Sequence, residues 1–212
     1  METMELMLPE IATTGNLSTM QLPEIGDYNF WQLYNNRILT VEDNITEWDY
    51  HIVKDILKIN MEDFGKPKEE RKPIIILINS NGGFLDITNS IVDTIKISTT
   101  PVWTVNMGSA LSGGCIIFLA GEKRFTVNNS WTMTHPGSGG VSGNYNETVE
   151  QTKVWNEQVK NMGSYIMERT GIDDKTWRKY KTKDWWLNAD QQIEFGFATD
   201  KLESLDQILG VG

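Results

Sequence analysis

Apolar residues recur along this chain in two periods, and the alternation between them carries the fold. The run Pro73-Ile-Ile-Ile-Leu-Ile78 is short, continuous and β-branched, as expected of a strand buried on both faces of a parallel sheet. Asn79-Ser-Asn-Gly-Gly83 follows, and its residue types tolerate positive φ. Apolar positions at 84, 85, 87, 91, 92 and 95 then predict a helix from Phe84 to about Ile97, and Val102-Trp-Thr-Val-Asn-Met107 reads as the next strand. These three pieces form a βαβ unit.

A second cycle repeats the order. Ala110 to about Leu119 is small and apolar enough for a buried helix, and Arg124–Val127 and Ser130–Thr134 read as strands. The stretch from Gly137 to Gly143 reads as a flexible link. A polar helix is expected from Glu147 to Arg169, with apolar residues at 149, 155, 159, 162 and 166 and a stop at Gly171. Asn188 and Gly196 bracket a short helix, and a strand or turn is expected near Phe197 to Leu202. Upstream, apolar positions at 45, 48, 52, 53, 56 and 57 predict a helix that carries His51 on its surface.

Residues 1–27 are rich in Thr, Gly, Pro and Glu and contain Leu-Pro-Glu-Ile twice, at 8–11 and 22–25. They read as a flexible arm ahead of a single domain at 28–212, a size that suits one hydrophobic core. The repeated tetrapeptide is most simply a shared turn preference.

Charge narrows the function. A formal net charge of −10 and a pI near 4.7, with no basic run, argue against binding nucleic acid or an anionic membrane, which needs clustered cations. Cys115 is the only cysteine, which leaves no intramolecular disulfide and fits a reducing compartment. The acidic start lacks the pattern of a secretory signal, and no apolar run reaches the roughly 18 residues of a membrane span. A soluble, cytoplasmic protein is expected.

Three segments place chemistry where an apolar strand ends: Ile78–Gly83, Gly108–Cys115 and Trp131–Pro136. A serine hydroxyl becomes nucleophilic when a base takes its proton, and the resulting oxyanion needs preorganised donors. Ser112, at the start of a buried helix, sits among unpaired N–H groups at the positive end of the helix dipole. The Gly113 N–H is one natural donor and that of Gly83 a second. The chain has two histidines, His51 and His135, so an imidazole base is one of these two, and His51, on a helix surface, is the weaker candidate. Taken singly, Ser112 reads as close packing, Asn-Gly-Gly as a turn and His135 as either base or ordinary hydrogen-bonding residue. Their joint order favours a serine peptidase. No glycine stands two residues before Ser112, which removes the Gly-x-Ser-x-Gly elbow. The two distant histidines and lone cysteine make no zinc site, so no metal or other cofactor is expected. The acid is not fixed by the residues alone, since Asp173, Asp174, Asp184, Asp190 and Asp200 all stay open.

The ordered motifs Ile78-Asn-Ser-Asn-Gly-Gly83, Gly108-Ser-Ala-Leu-Ser-Gly113, His135-Pro-Gly-Ser-Gly-Gly140, Lys183-Asp-Trp-Trp-Leu-Asn-Ala189 and Glu194-Phe-Gly-Phe-Ala-Thr-Asp200 together resemble the Clp protease proteolytic subunit (ClpP) family over roughly residues 28–205. The resemblance implies an α/β fold, a ClpP/crotonase-like spiral of repeated βαβ-type units with a protruding handle helix at about 147–169. It implies Ser112 as nucleophile, His135 as base, Asp184 as the orienting acid, and Gly83 and Gly113 as oxyanion donors. It also implies that Gly137, Gly139 and Gly140 bind extended peptide by strand addition. The implied assembly is a homo-oligomer, a heptameric ring or a tetradecamer of two rings, served by an AAA+ Clp ATPase and acting on protein or peptide substrates. A divergent or phage-encoded member is one form this takes.

Five positions depart from the family pattern. Asn81 replaces a proline, which should loosen its turn while leaving positive φ within reach. Pro136 follows His135 without the usual intervening residue. Gly113 stands where a larger residue is common and is expected to add flexibility. Thr182-Lys183 replaces an acidic-Arg pair that couples rings in many members, and lysine lacks the bidentate fork of arginine. Two other readings use the same motifs: a catalytically silent ring subunit, and a crotonase-like acyl-CoA enzyme with a two-donor oxyanion hole but no need of a triad.

Overall fold

In the computed structural model, residues 25–209 are described, so most of the expected arm at 1–27, including the first Leu-Pro-Glu-Ile, lies outside the described residues. Helix α1 (Ile25–Asn35) begins within the last three residues of that arm. Strand β1 (Ile38–Ile45) follows, then α2 (His51–Glu62), β2 (Ile74–Gly83), α3 (Leu85–Ile97), β3 (Val102–Leu111) and α4 (Gly113–Ala120). The second half comprises β4 (Lys123–Thr126), β5 (Trp131–Thr134), α5 (Tyr145–Thr170), α6 (Asp174–Tyr180), β6 (Trp185–Asn188), α7 (Ala189–Glu194), β7 (Asp200–Lys201) and α8 (Asp206–Leu209).

The βαβ order yields a parallel sheet in the order β1-β2-β3-β4-β7, with β5 joined to β3 and β6 antiparallel to β5. Strand β3 serves two neighbours in succession. Its first half pairs with β4 through Trp103–Asn106, and its end pairs with β5 through Ser109–Leu111. This change of partner turns the sheet into a spiral. Ile74, Ile76 and Ile78 of β2 face a core built with α2, α3 and α4, while Ile75, Trp103, Val105 and Phe125 bury the opposite face. Every residue of α4 is buried, as its continuous small-apolar sequence requires.

Three elements run differently from the sequence pattern. Ile45 is the last residue of β1, not the first of a helix, because Thr46 and Asp49 form a capping box that starts a short 3-10 turn before α2. Ala110 and Leu111 belong to β3, so α4 begins only at Gly113. Strand β6 was hidden in Trp185-Trp-Leu-Asn188, whose alternate residues are buried. The other predicted helices and strands match closely. Helix α5 ends at Gly171 with φ 74, and its two buried residues, Gly163 and Ile166, both fall in its C-terminal half, leaving the N-terminal half as the handle. His51 is exposed at the start of α2, its Nδ1 2.8 Å from the Trp48 carbonyl.

Candidate active site

Ser112 sits at the junction of β3 and α4 with φ 52 and ψ −119, a conformation that L-residues with a side chain seldom adopt and that costs on the order of 1–3 kcal/mol. Two backbone bonds hold it there. Its N–H donates to the Met133 carbonyl at 2.8 Å, extending the β3–β5 ladder by one residue, and its carbonyl accepts from Ile116 N at 3.2 Å to open α4. The chain thus makes a sharp strand-to-helix turn with the serine at its apex. Gly113 is the first helical residue, and its N–H has no intrahelical acceptor.

The glycine turn ending β2 abuts this apex. A Cβ at Gly82 would lie 2.7 Å from Gly113 N, the Leu111 carbonyl and Ser112 Cβ alike, and Gly82 also carries φ 88. A Cβ at Gly83 would run into the Ile45 carbonyl, and one at Gly113 would lie 3.4 Å from Gly83 N. Gly82 and Gly83 are therefore required by close approach, and Gly83 and Gly113 border one cleft. The positive φ of this turn falls on Gly82, not on Asn81. Ser80 fixes the turn by donating through Oγ to the Asp43 carbonyl at 2.6 Å and accepting from Gly82 N at 3.1 Å. Asn79 Oδ1 accepts from Ser109 N at 3.1 Å where the β2–β3 register slips. The motif gave no sign of these stitching roles.

His135 follows the last residue of β5, and the ladder that ties Met133 to Leu111 brings its ring over the turn. His135 Nε2 lies 2.7 Å from Ser112 Oγ, so an imidazole protonated on Nδ1 accepts the serine proton. The ring is half-buried. Asp184 is one residue before β6, whose antiparallel register pairs Thr134 with Trp185; one step further along the two chains, His135 and Asp184 come opposite each other. The Asp184 carboxylate is exposed and takes part in no hydrogen bond or ion pair among the described residues. Ser112, His135, Gly83 and Gly113 are thus brought together, whereas Asp184 is brought alongside without engaging the imidazole.

A cleft of 330 Å³ opens at this point; Ser112, His135, Gly83 and Gly113 border it together with apolar Ile116, Met133, Val159 and Met162 and polar Asn44, Asn81 and Gln158. Gly137 also borders it, and Gly139 packs beside Gly137 on Trp155 of α5; Gly140 is exposed with open space around it. Behind the site, fully buried Gln192 accepts from Asn106 Nδ2 and Thr126 Oγ1 and donates to the Ser130 and Leu187 carbonyls. It ties β3, β4 and β6 to the residue that precedes β5, and so joins the two strands that end beside His135 and Asp184. A lone glutamine in a short helix gave no hint of this in the sequence.

The family model for Clp protease matches residues 25–204 of this chain. ATP-dependent Clp protease proteolytic subunit 2 of Treponema denticola is 36% identical over 127 residues, 59% of this chain and 64% of that protein's length, just under two thirds of it. ATP-dependent Clp protease proteolytic subunit 1 of Rhodopirellula baltica is 31% identical over 173 residues, covering 80% of this chain and 74% of the relative. The solved structure of a ClpP1 mutant from Listeria monocytogenes superimposes with a TM-score of 0.73 at 26% identity, covering 85% of this chain and 99% of that one.

Proposed function

The chain belongs to the Clp protease family, and from that premise we propose that it is a serine endopeptidase acting on unfolded or dedicated protein substrates through an acyl-enzyme on Ser112. The carrying observation is the 2.7 Å contact between Ser112 Oγ and His135 Nε2, made by a serine held in a strained turn at a helix N-terminus. In this reading Ser112 Oγ attacks the scissile carbonyl as its proton passes to His135 Nε2. The Gly83 and Gly113 N–H groups stabilise the oxyanion. The imidazolium returns the proton to the leaving amine, which departs as the new N-terminus, and a water activated by His135 then hydrolyses the ester. Asp184 is the acid that orients the imidazole, engaging it once its carboxylate turns inward across the strand pair. Gly137, Gly139 and Gly140 offer backbone to an extended peptide, adding it as a strand.

The protein works in this reading as a homo-oligomeric ring, heptameric or doubled, in the cytoplasm and fed by an AAA+ Clp ATPase. Family membership supports the ring and the ATPase. No helix among the described residues is long and apolar enough to cross a membrane. One observation favours a second reading, a silent ring subunit: the Asp184 carboxylate is exposed and makes no hydrogen bond or ion pair among the described residues. Intact-mass analysis after fluorophosphonate treatment separates the two. A single adduct on the wild type, lost in Ser112→Ala, is expected of the peptidase. An assembled, folded wild type without any adduct is expected of the silent subunit.

A further inference from the structure

Between Asn106 and Ser109, β3 loses its regular partners on both sides. On one side the ladder to β4 ends at Asn106 and the ladder to β5 begins only at Ser109. On the other, Ile78 pairs with Asn106 but Ser80 pairs with Ala110, so Asn79 alone stands opposite Met107, Gly108 and Ser109. Such a bulge re-aims the strand that carries it, and Ser112 follows directly on the end of this strand. Asparagine side chains take the place of the missing ladder bonds. Asn79 Oδ1 accepts from Ser109 N on the β2 side. On the β5 side Asn106 Oδ1 accepts from Gly108 N at 3.2 Å, while its Nδ2 donates to the Trp131 carbonyl at 3.0 Å and to Gln192 Oε1 at 3.2 Å.

We propose that the buried amide pair Asn106–Gln192 consists of positioning residues for catalysis, setting where β5 stands on β3 and with it the alignment of His135 on Ser112. The inference rests on the peptidase reading above. Both side chains are fully buried, and their bonds meet at the fork where β3 passes from β4 to β5. Asn106 holds β5 through Trp131; Gln192 holds the residue before β5 through Ser130, β6 through Leu187, and β4 through Thr126 Oγ1 at 2.9 Å. From this fork β3 runs on to Ser112 and β5 runs on to His135, so the nucleophile and the base stand at the ends of two strands that share one pinned origin. An apolar pair of similar volume would fill the same space without fixing a direction. Hydrogen bonds are directional, and this set is fully satisfied, since no buried side-chain nitrogen or oxygen among the described residues lacks a partner. Alignment at the reacting atoms is sensitive to such remote placement: a displacement of about 1 Å costs up to about a hundredfold in rate.

The test follows labelling of Ser112 by a fluorophosphonate, read by intact mass on the full-length protein at a temperature where circular dichroism shows each variant folded. The rate is resolved into its maximum and the reagent concentration that gives half of it. Gln192→Met and Asn106→Leu keep the bulk and remove the bonds, and each is expected to lower the maximal rate by about tenfold or more while leaving the half-saturating concentration unchanged. Because the two residues share a hydrogen bond, the double variant should lose little more than either single one. Thr104→Val is the control for stability alone. Thr104 is as deeply buried in β3, but its Oγ1 donates to the Phe118 carbonyl at 2.7 Å, away from the fork, so this variant should lower the urea midpoint and keep the wild-type labelling rate. A spectroscopic signature comes from the two histidines: the imidazole NMR signal of His135 should shift in Gln192→Met, while that of exposed His51 serves as the unmoved reference. Should Gln192→Met not fold, Thr126→Val, which deletes one bond to Gln192, carries the same test with a smaller loss. Wild-type labelling rates and an unmoved His135 signal in the folded fork variants, or an equal loss of rate in Thr104→Val, overturn this inference alone. A wild type that the reagent leaves unlabelled overturns the peptidase reading and this inference with it.

Discussion

Gly113 illustrates how much of the site depends on single atoms. A residue larger than glycine is common here in the family, and flexibility is what the sequence suggests for the exchange. The structure gives a different account: Thr88 Oγ1 and Ile45 Cδ1 stand 2.6 and 3.2 Å from where a Cβ would project, so neighbouring side chains fill the space a larger residue would take. Thr88 is itself held by a hydrogen bond from Oγ1 to the Phe84 carbonyl at 2.9 Å. Gly113→Ala is therefore expected to slow fluorophosphonate labelling of Ser112 by about tenfold, since the first turn of α4 must shift to clear Thr88. Adding Thr88→Ala should recover most of that loss, because residues in contact are coupled. Labelling rates of the two single variants and the double variant measure this directly, and additive losses would show that Thr88 is not the obstruction. Ser112, His135 and the glycine turn were legible because few residue types perform their tasks. Thr88, Ser80, Asn79 and Gln192 were not, since serine, threonine and amide side chains bond wherever the fold brings an acceptor near.

Among the elements, β1 escaped the periodicity because Ile45 fits both a strand end and the first position of a helical stripe, and only the Thr46 capping box decides between them. What anchors β1 at its other end is an ion pair no local pattern reveals. Asp63, at the end of α2, is fully buried and accepts from Arg37 at 2.6 and 2.8 Å, from Lys66 at 2.8 Å and from Thr100 Oγ1 at 2.9 Å. Arg37 first, then Lys66 and Thr100, hold this carboxyl far below the usual carboxylate range. Breaking a buried, fully bonded pair by removing one charge costs about 3–5 kcal/mol, so Asp63→Asn is expected to lower stability by roughly that amount at neutral pH. The sign of the pH dependence follows from the depressed folded-state value. Stability from Asp63 is complete above the unfolded carboxylate pKa of about 3.9 and is lost as pH falls toward the folded value. Urea midpoints at pH 7, 4 and 3 should show the gap between wild type and Asp63→Asn narrowing only below about pH 4. A gap that is constant over this range would mean that Asp63 gains nothing from its partners.

At the scale of the molecule, the surface leaves apolar side chains available for burial between subunits. Trp48, Phe64 and Tyr145 are each more than 80% exposed, and Trp31, Met61 and Ile97 are exposed as well. Set against this is a formal charge of −10, whose self-repulsion opposes association and is screened by salt. Assembly should therefore strengthen as ionic strength rises, with sedimentation velocity showing a multi-subunit species that grows with salt and protein concentration. The same measurement bears on the acid. Asp184 lies beside the exposed turn containing Thr182 and Lys183, and its carboxylate is unengaged among the described residues. If contacts between subunits turn it toward His135, the rate of Ser112 labelling will track the assembled fraction on dilution. Asp184→Asn, assembled to the same extent, should then label about a hundredfold or more slowly, in line with the loss when the orienting acid of a triad is neutralised. Equal rates for the dilute and assembled wild type would separate assembly from activation. A fully reactive Asp184→Asn would return the question of the acid to Asp173, Asp174, Asp190 and Asp200.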